Sequence, residues 1–201
     1  LFLTYFIAIC AGSVMGYFGG KTDMLGLRLV EIWANVPFLY MVIILVSVMP
    51  GWWGVGWQVS SLLFIMVLFS WTGMTYYIRA AVYKEKARDY VSAAKVIGAG
   101  PLRIIFRHLL PNVISTLVTF APFTIAAAIS SITALDFLGY GLPPPTPSWG
   151  ELLKQAVGNL KTAPWIVIST VSALVLTLTL VTFVGEAVRE AFDPKKFSTY
   201  E

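Results

Sequence analysis

Few residues in this chain have side chains suited to catalysis, and none is spaced for it. His108 is the only histidine and Cys10 the only cysteine. One histidine cannot build a His-rich metal site. One cysteine in an apolar run makes neither an intrachain disulfide nor a cysteine metal site. Asp136, Glu151 and Glu186 are not spaced as an acid/base constellation. Arg28 and Glu31, three residues apart at an expected helix start, read as a structural pair. Exposed pairs of that kind contribute under about 1 kcal/mol. Asp136, at the end of an apolar run, is the one carboxylate with a functional reading, a place on a translocation path, because charge at membrane depth marks function by default. Its rival reading is an interfacial carboxylate satisfied by water or by a helix N-terminus beginning near Ser148. The sequence therefore predicts no catalytic residue, no metal and no directly bound cofactor.

The elements around these residues belong to a membrane. The 201-residue chain is 58% hydrophobic and only 12% charged, with a mean hydropathy of +0.79. Soluble domains carry about 25% charged residues, so the deficit places the chain in lipid. A net charge of +4 could suggest nucleic acid. The basic residues instead cluster between apolar runs, as topology signals do, and nucleic acid is not expected as a partner. A span needs about 20 largely apolar residues. Five segments approach this, at 1–18, 32–49, 59–78, 113–135 and 164–184, giving an all-α, polytopic transmembrane bundle. Pro37 and Pro122 fall inside the second and fourth, where neighbouring helices can re-satisfy the backbone. Gly12, Gly16, Gly19 and Gly20 permit close packing or a turn. The start at Leu1, inside hydrophobic sequence, predicts an N-terminally truncated chain rather than a signal peptide.

Charge sets an expected orientation. One set of alternating loops holds Lys21, Arg28, Arg79, Lys84, Lys86, Arg88, Lys95, Arg103, Arg107, Arg189, Lys195 and Lys196, the other only Lys154 and Lys161. The first side is then cytoplasmic, with the 79–112 loop and the C-terminus on it and the Pro-rich 142–149 stretch opposite. Trp52, Trp53, Trp57, Trp149 and Trp165 fall near the outer interface, where indoles concentrate.

The longest polar insert, 89–112, has internal organisation. Tyr90, Ala94, Ile97 and Pro101 share one predicted helical face, and Asp89, Ser92 and Lys95 another. Gly98-Ala99-Gly100 breaks the helix, and Pro101 suits the first position of a second. There Leu102, Ile105, Phe106 and Leu109 follow helical spacing, with Arg103 and Arg107 opposite. Pro111-Asn112 is expected to stop that helix, Asn112 capping the next span. On these residues alone the insert also fits an amphipathic hairpin lying on lipid headgroups.

The order of these residues resembles the EAA loop of permease subunits from bacterial ABC importers of the dipeptide/oligopeptide/nickel type. That motif has Glu-Ala-Ala, three residues, Gly, nine residues, Ile, one residue, Leu-Pro. Here Ser92-Ala93-Ala94, Gly98, His108 and Leu110-Pro111 keep both spacings, with Ser92 in place of Glu and His108 in place of Ile. Gly16-Tyr17-Phe18-Gly19-Gly20 with Asp23, Arg28 and Glu31, then 135–143, 148–151, 163–165 and 191–194, are similar to the same group. The wording of 135–143 and 185–194 is most similar to Yej-type permeases, which carry oligopeptides and microcin C.

The resemblance implies a type I, binding-protein-dependent permease fold over 1–201 as one transmembrane domain, with a coupling loop at 79–112. It implies multi-pass residence in the bacterial inner membrane and import of peptide-like solutes. It also implies partners: a second related permease, two ATPase subunits or domains carrying ATP and Mg, a periplasmic solute-binding protein, and lipid. The ATPase contact would involve Asp89, Ser92, Ala93, Ala94, Lys95, Gly98, Gly100 and Arg103, with Leu110 and Pro111 structural. Two alternatives from other classes are an ion channel and a membrane scaffold with an interfacial hairpin. Gly139-Tyr140-Gly141 is similar to the end of a potassium-channel filter, but Leu138 stands where Thr-Val would be, and a turn is expected there.

Overall fold

A computed structural model describes residues 1–50, 52, 54–142 and 146–191. Trp53, Pro143, the 192–194 part of the family-like C-terminal pattern, Lys195 and Lys196 lie outside the described residues. The described residues are helical with no strand. In order they form α1 (Phe2–Phe18), α2 (Gly20–Ala34), α3 (Phe38–Val48), α4 (Val55–Lys86), α5 (Asp89–Val96), α6 (Pro101–Ile104), a π turn (Ile105–Leu109), α7 (Leu110–Phe137), α8 (Trp149–Gly158) and α9 (Pro164–Ala191).

Among the described residues three helical stretches are long and apolar enough to cross a membrane: 55–86, 101–137 and 164–191. The expected second span is not one helix. Its residues divide between α2 and α3, which bend by 62° at the break, and together could supply a fourth crossing. Pro37 sits at that break rather than inside a helix, and the residue before a proline is driven out of helical geometry. The expected first span, α1, has 17 residues. At 1.5 Å per residue it reaches about 26 Å, short of a ~30 Å hydrocarbon core.

Two compact units divide the chain. The first comprises 1–37 and 66–120, the second 38–65 and 121–201. In the first, small residues on α1 let it lie directly on α4. A Cβ at Gly12 would fall 2.8 Å from the Ile78 Cβ, and one at Gly16 would fall 2.7 Å from the Arg79 carbonyl oxygen. Gly19 and Gly20, with φ of 66° and 52°, turn the chain from α1 into α2. Asp23 on α2 then accepts a two-pronged grip from Arg79 on α4, with Nη2 2.5 Å from Oδ2 and Nε on Oδ1. Fork geometry of this kind fixes both position and orientation. Trp33 adds a donor to the Leu68 carbonyl at 2.7 Å and stacks on Phe69. Arg28 and Glu31 pair at 2.7 Å on the exposed side, as expected.

The second unit is sparser. Pro122 lies inside α7, and Gly185 of α9 meets it closely, since a Cβ there would fall 2.7 Å from the proline Cβ. α8 begins at a capped end, where the Ser148 hydroxyl accepts from the Glu151 N–H at 3.1 Å.

The close approach of α1 and α4 yields a prediction. Gly16→Val would push a branched side chain into backbone that cannot yield, and overpacking of this kind costs about 1–3 kcal/mol. Unfolding of the detergent-solubilised chain should shift to lower temperature for Gly16→Val, whereas Gly73→Ala, a mid-helix change with nothing within 4 Å of the new Cβ, should not.

Candidate functional site

The 89–112 insert folds as a hairpin whose root belongs to the core of the first unit. Val91 and Ala94 of α5 are buried, Ala94 to 3% exposure, together with Ile104, Ile105 and Leu109. They pack in one cluster with Ala8, Tyr17, Met74, Ile78, Val82, Val113 and Leu117. The predicted apolar faces are therefore corrected. Ala94 does face inward, but Ile97 is 83% exposed, and the partner of Ala94 in the core is Val91. On the second arm Leu102 and Phe106 are 71% and 63% exposed, while Ile104 joins Ile105 and Leu109 inside.

The cause is local geometry. The second arm does not stop at Pro111. Helix continues from Pro101 to Phe137, and the turn before Pro111 widens to π form. Proline has no N–H, and its ring collides with the carbonyl four residues back in an α-helix. Widening one turn accommodates both effects. A 3.6-residue period carried through this turn assigns the wrong faces on either side of it.

Asn112 accordingly caps nothing. Its Nδ2 donates to the His108 carbonyl at 2.9 Å and to the Tyr90 hydroxyl at 3.0 Å. The Tyr90 hydroxyl donates to Glu85 Oε2 at 2.8 Å, and Glu85 Oε1 accepts from Arg88 Nε at 3.0 Å. Burial first, and then the Glu85 carboxylate, push the Tyr90 phenol above its ordinary pKa, so the hydroxyl keeps its proton at neutral pH. This network was not foreseen. The separation of Tyr90 from Asn112 by 22 positions leaves no periodic trace.

The hairpin tip is closed by Gly98, at φ 85°. The Gly98 N–H donates to the Lys95 carbonyl and the Ala99 N–H to the Ala94 carbonyl, both at 3.0 Å. That pair of bonds is a Schellman motif, with glycine in the left-handed position it requires. Pro101 opens α6, as predicted. Val96 and Ile97 before the glycine turn, and Leu102 and Phe106 after it, leave four large apolar side chains exposed around the tip. Asp89, Ser92, Ala93, Gly98, Gly100 and Arg103 are exposed. Lys95 leans back, its ammonium 5.9 Å from the Tyr17 ring, with Lys86 5.6 Å from the same ring. Leu110 and Pro111 open α7.

Asp136 belongs to the second unit. It is buried to 6% exposure, and its Oδ1 accepts from the Leu142 N–H. The expected partner, the helix end near Ser148, supplies no bond to it among the described interactions. Gly141 and Gly150 approach so closely that a Cβ on either would collide with the Asp136 side chain. Gly139, at φ 84°, closes α7 with a second Schellman motif, its N–H on the Asp136 carbonyl and that of Tyr140 on Leu135, both at 2.9 Å. The Gly-Tyr-Gly segment is thus a helix cap. No group of three or more His, Cys, Asp or Glu side chains capable of holding a metal occurs among the described residues.

The described residues thus combine helices long and apolar enough to cross a membrane with a hairpin rooted in the core of the first unit and apolar at its tip. Residues 8–198 match the binding-protein-dependent transport system inner membrane component family, and the chain belongs to that family. It is 44% identical over 190 residues to the peptidoglycan transport system permease protein YejE of Agrobacterium fabrum, a match covering 94% of this chain and 48% of that protein. It is 43% identical to the inner membrane ABC transporter permease protein YejE of Escherichia coli, over 94% of this chain and 54% of that one. The oligopeptide transport system permease protein OppC of Haemophilus influenzae is 34% identical, over 96% of this chain and 60% of that protein. The chain thus spans about half the length of the first two relatives. An inward-facing structure of the MetNI methionine ABC transporter shares the fold. Its TM-score is 0.75, covering 96% of this chain and 88% of that one at 17% identity.

The geometry around Asp136 separates its two readings. Asp136→Asn keeps an acceptor for the Leu142 N–H and should hold the unfolding temperature of the solubilised chain near that of the parent. Asp136→Ala strands a partly buried N–H, a loss of about 1–3 kcal/mol, and should lower the unfolding temperature. An unfolding temperature that fell as far in Asp136→Asn as in Asp136→Ala would count against this capping role.

Proposed function

We propose that this chain is the permease subunit of an ATP-driven importer that moves peptides or peptide-like solutes across the inner membrane into the cytoplasm. Its family and the peptidoglycan and oligopeptide transport systems named among its relatives support this reading. The observation that carries it is the division within the hairpin. Its root is buried with the helices, and its tip presents Val96, Ile97, Leu102 and Phe106 to solvent. Exposed apolar clusters on an otherwise ordered element mark interaction surfaces.

In this reading residues 1–201 act as one transmembrane domain, and the 79–112 hairpin and the C-terminus face the cytoplasm. An ATPase subunit, which holds ATP and Mg, receives the tip. Ile97, Gly98, Gly100 and Arg103 are central to the contact, with Asp89, Ser92 and Ala93 along its edge. Ala94 ties the tip to α1 and α4, and exposed Lys95, its ammonium 5.9 Å from the Tyr17 ring, stands at the edge of the contact. A second related permease, a second ATPase subunit or domain, and a periplasmic solute-binding protein complete the assembly. The hairpin needs no catalytic side chain of its own. Two nucleotide states of the ATPase move the permease only through contacts that differ between them.

A photo-crosslinking residue at Ile97 tests the dock. In membranes containing the whole transporter it should capture a nucleotide-hydrolysing polypeptide, and the same probe at Val91, in the core, should not. Capture of phospholipid alone at Ile97 would favour an interfacial hairpin. A second outcome is expected at Gly98, whose positive φ excludes most side chains. Gly98→Val should depress uptake more than Gly98→Asn in whole-cell peptide accumulation, because asparagine tolerates the left-handed region.

A further inference from the structure

We propose that Tyr90 is a positioning residue that keys α5 to the π turn, so that displacement of the hairpin tip reaches α7 as translation and is not lost as rolling of α5. The inference rests on the importer reading and extends it from the hairpin tip to the hydrogen bonds behind it.

Apolar burial alone cannot supply this stiffness. α5 has eight residues, and Val91 and Ala94 are its only buried side chains. Hydrophobic contact is non-directional. A short helix held by one valine and one alanine can turn about its axis with both still covered. Hydrogen bonds oppose such a roll because they weaken steeply off-line.

The bonds that would do so converge on one oxygen. Tyr90 Oη donates its single proton to Glu85 at the end of α4, at 2.8 Å, and accepts from Asn112 in the first turn of α7, at 3.0 Å. Asn112 spends its second N–H on the His108 carbonyl, inside the π turn, at 2.9 Å. That carbonyl also lies 3.4 Å from the hydroxyl, whose proton is already committed to the closer carboxylate. Arg88, between α4 and α5, holds the other Glu85 oxygen. An unbroken series of donors and acceptors thus runs from α4 across α5 to α7. It meets α7 at the widened turn, where the backbone ladder is locally altered.

The test uses Tyr90→Phe, which removes the hydroxyl and keeps the ring. The whole transporter, with its ATPase, second permease and binding protein, is placed in liposomes, and uptake of a radiolabelled tripeptide mixture is measured per ATP hydrolysed. That ratio should fall about two- to tenfold, the range spanned by one hydrogen bond, while ATPase still co-purifies in the normal proportion. Asn112→Ala should act alike, and the double variant no worse than either single one. An unchanged ratio in Tyr90→Phe, or additive effects in the double variant, would overturn the proposal. So would loss of the ATPase from the purified complex, since Tyr90 would then belong to the docking surface. Amide exchange of the purified permease gives a second readout independent of any partner. Exchange across Leu109–Val113 should quicken in Tyr90→Phe, and no change there would equally overturn the proposal. Failure of the wild-type assembly to show ATP-dependent uptake would count against the importer reading, and the exchange result would still decide the role of Tyr90.

Discussion

The burial of Val91 and Ala94 against the helices is the constraint on which the rest of the hairpin depends. Without it the 89–112 insert would be a polar loop between two apolar segments. With it, the insert becomes an extension of the core formed by α1, α4 and the start of α7. Ala94 matters here for its size. A methyl group fits between closely packed helices and leaves no long side chain to rearrange. The tip is fixed by backbone geometry, since the Schellman motif at Gly98 ties its orientation to the last turn of α5. Buried root and defined tip follow from different physics, and both are needed before an applied force can travel.

The same economy appears in the first unit as a whole. Glycines remove side-chain bulk between α1 and α4, and the space they free is filled by backbone and by the stems of Ile78 and Val82. The Asp23–Arg79 fork then locks α2 onto α4 by direction. Within lipid this division of labour is expected. Tails are as apolar as leucine, so helix association relies on close packing and polar contacts.

Much of this was legible in the sequence, for identifiable reasons. Long apolar runs gave α4, α7 and α9 because a span must be long and uncharged. Glycine gave the tip at Gly98 and the turn at Gly139, because few other residues accept those dihedral angles. The break near Pro37 was misplaced inside a helix because hydropathy alone does not register a bend. The faces of the second arm were misassigned for a more specific reason. The 3.6-residue period of an α-helix does not describe Ile105, Leu109, Val113 and Leu117, which are all buried and recur every four residues. In a uniform α-helix that spacing drifts by about 40° per step, and the π turn takes up part of the drift. The Tyr90–Asn112 contact and the Asp136–Leu142 bond were invisible because side-chain pairing of this kind has no sequence period.

The widened turn gives the long 101–137 helix a phase jump. Each residue of an α-helix advances about 100° around the axis, so the positions before Ile105 are indexed to the rest of α7 through the surplus residue in that turn. The wider turn absorbs that residue, so the segments on either side keep nearly the phase they would have without it. Wound as regular α-helix, the same residues would leave Leu102 roughly a quarter of a revolution away relative to the helix beyond Pro111. The width of this one turn is therefore as much a determinant of where the hairpin points as side-chain identity is.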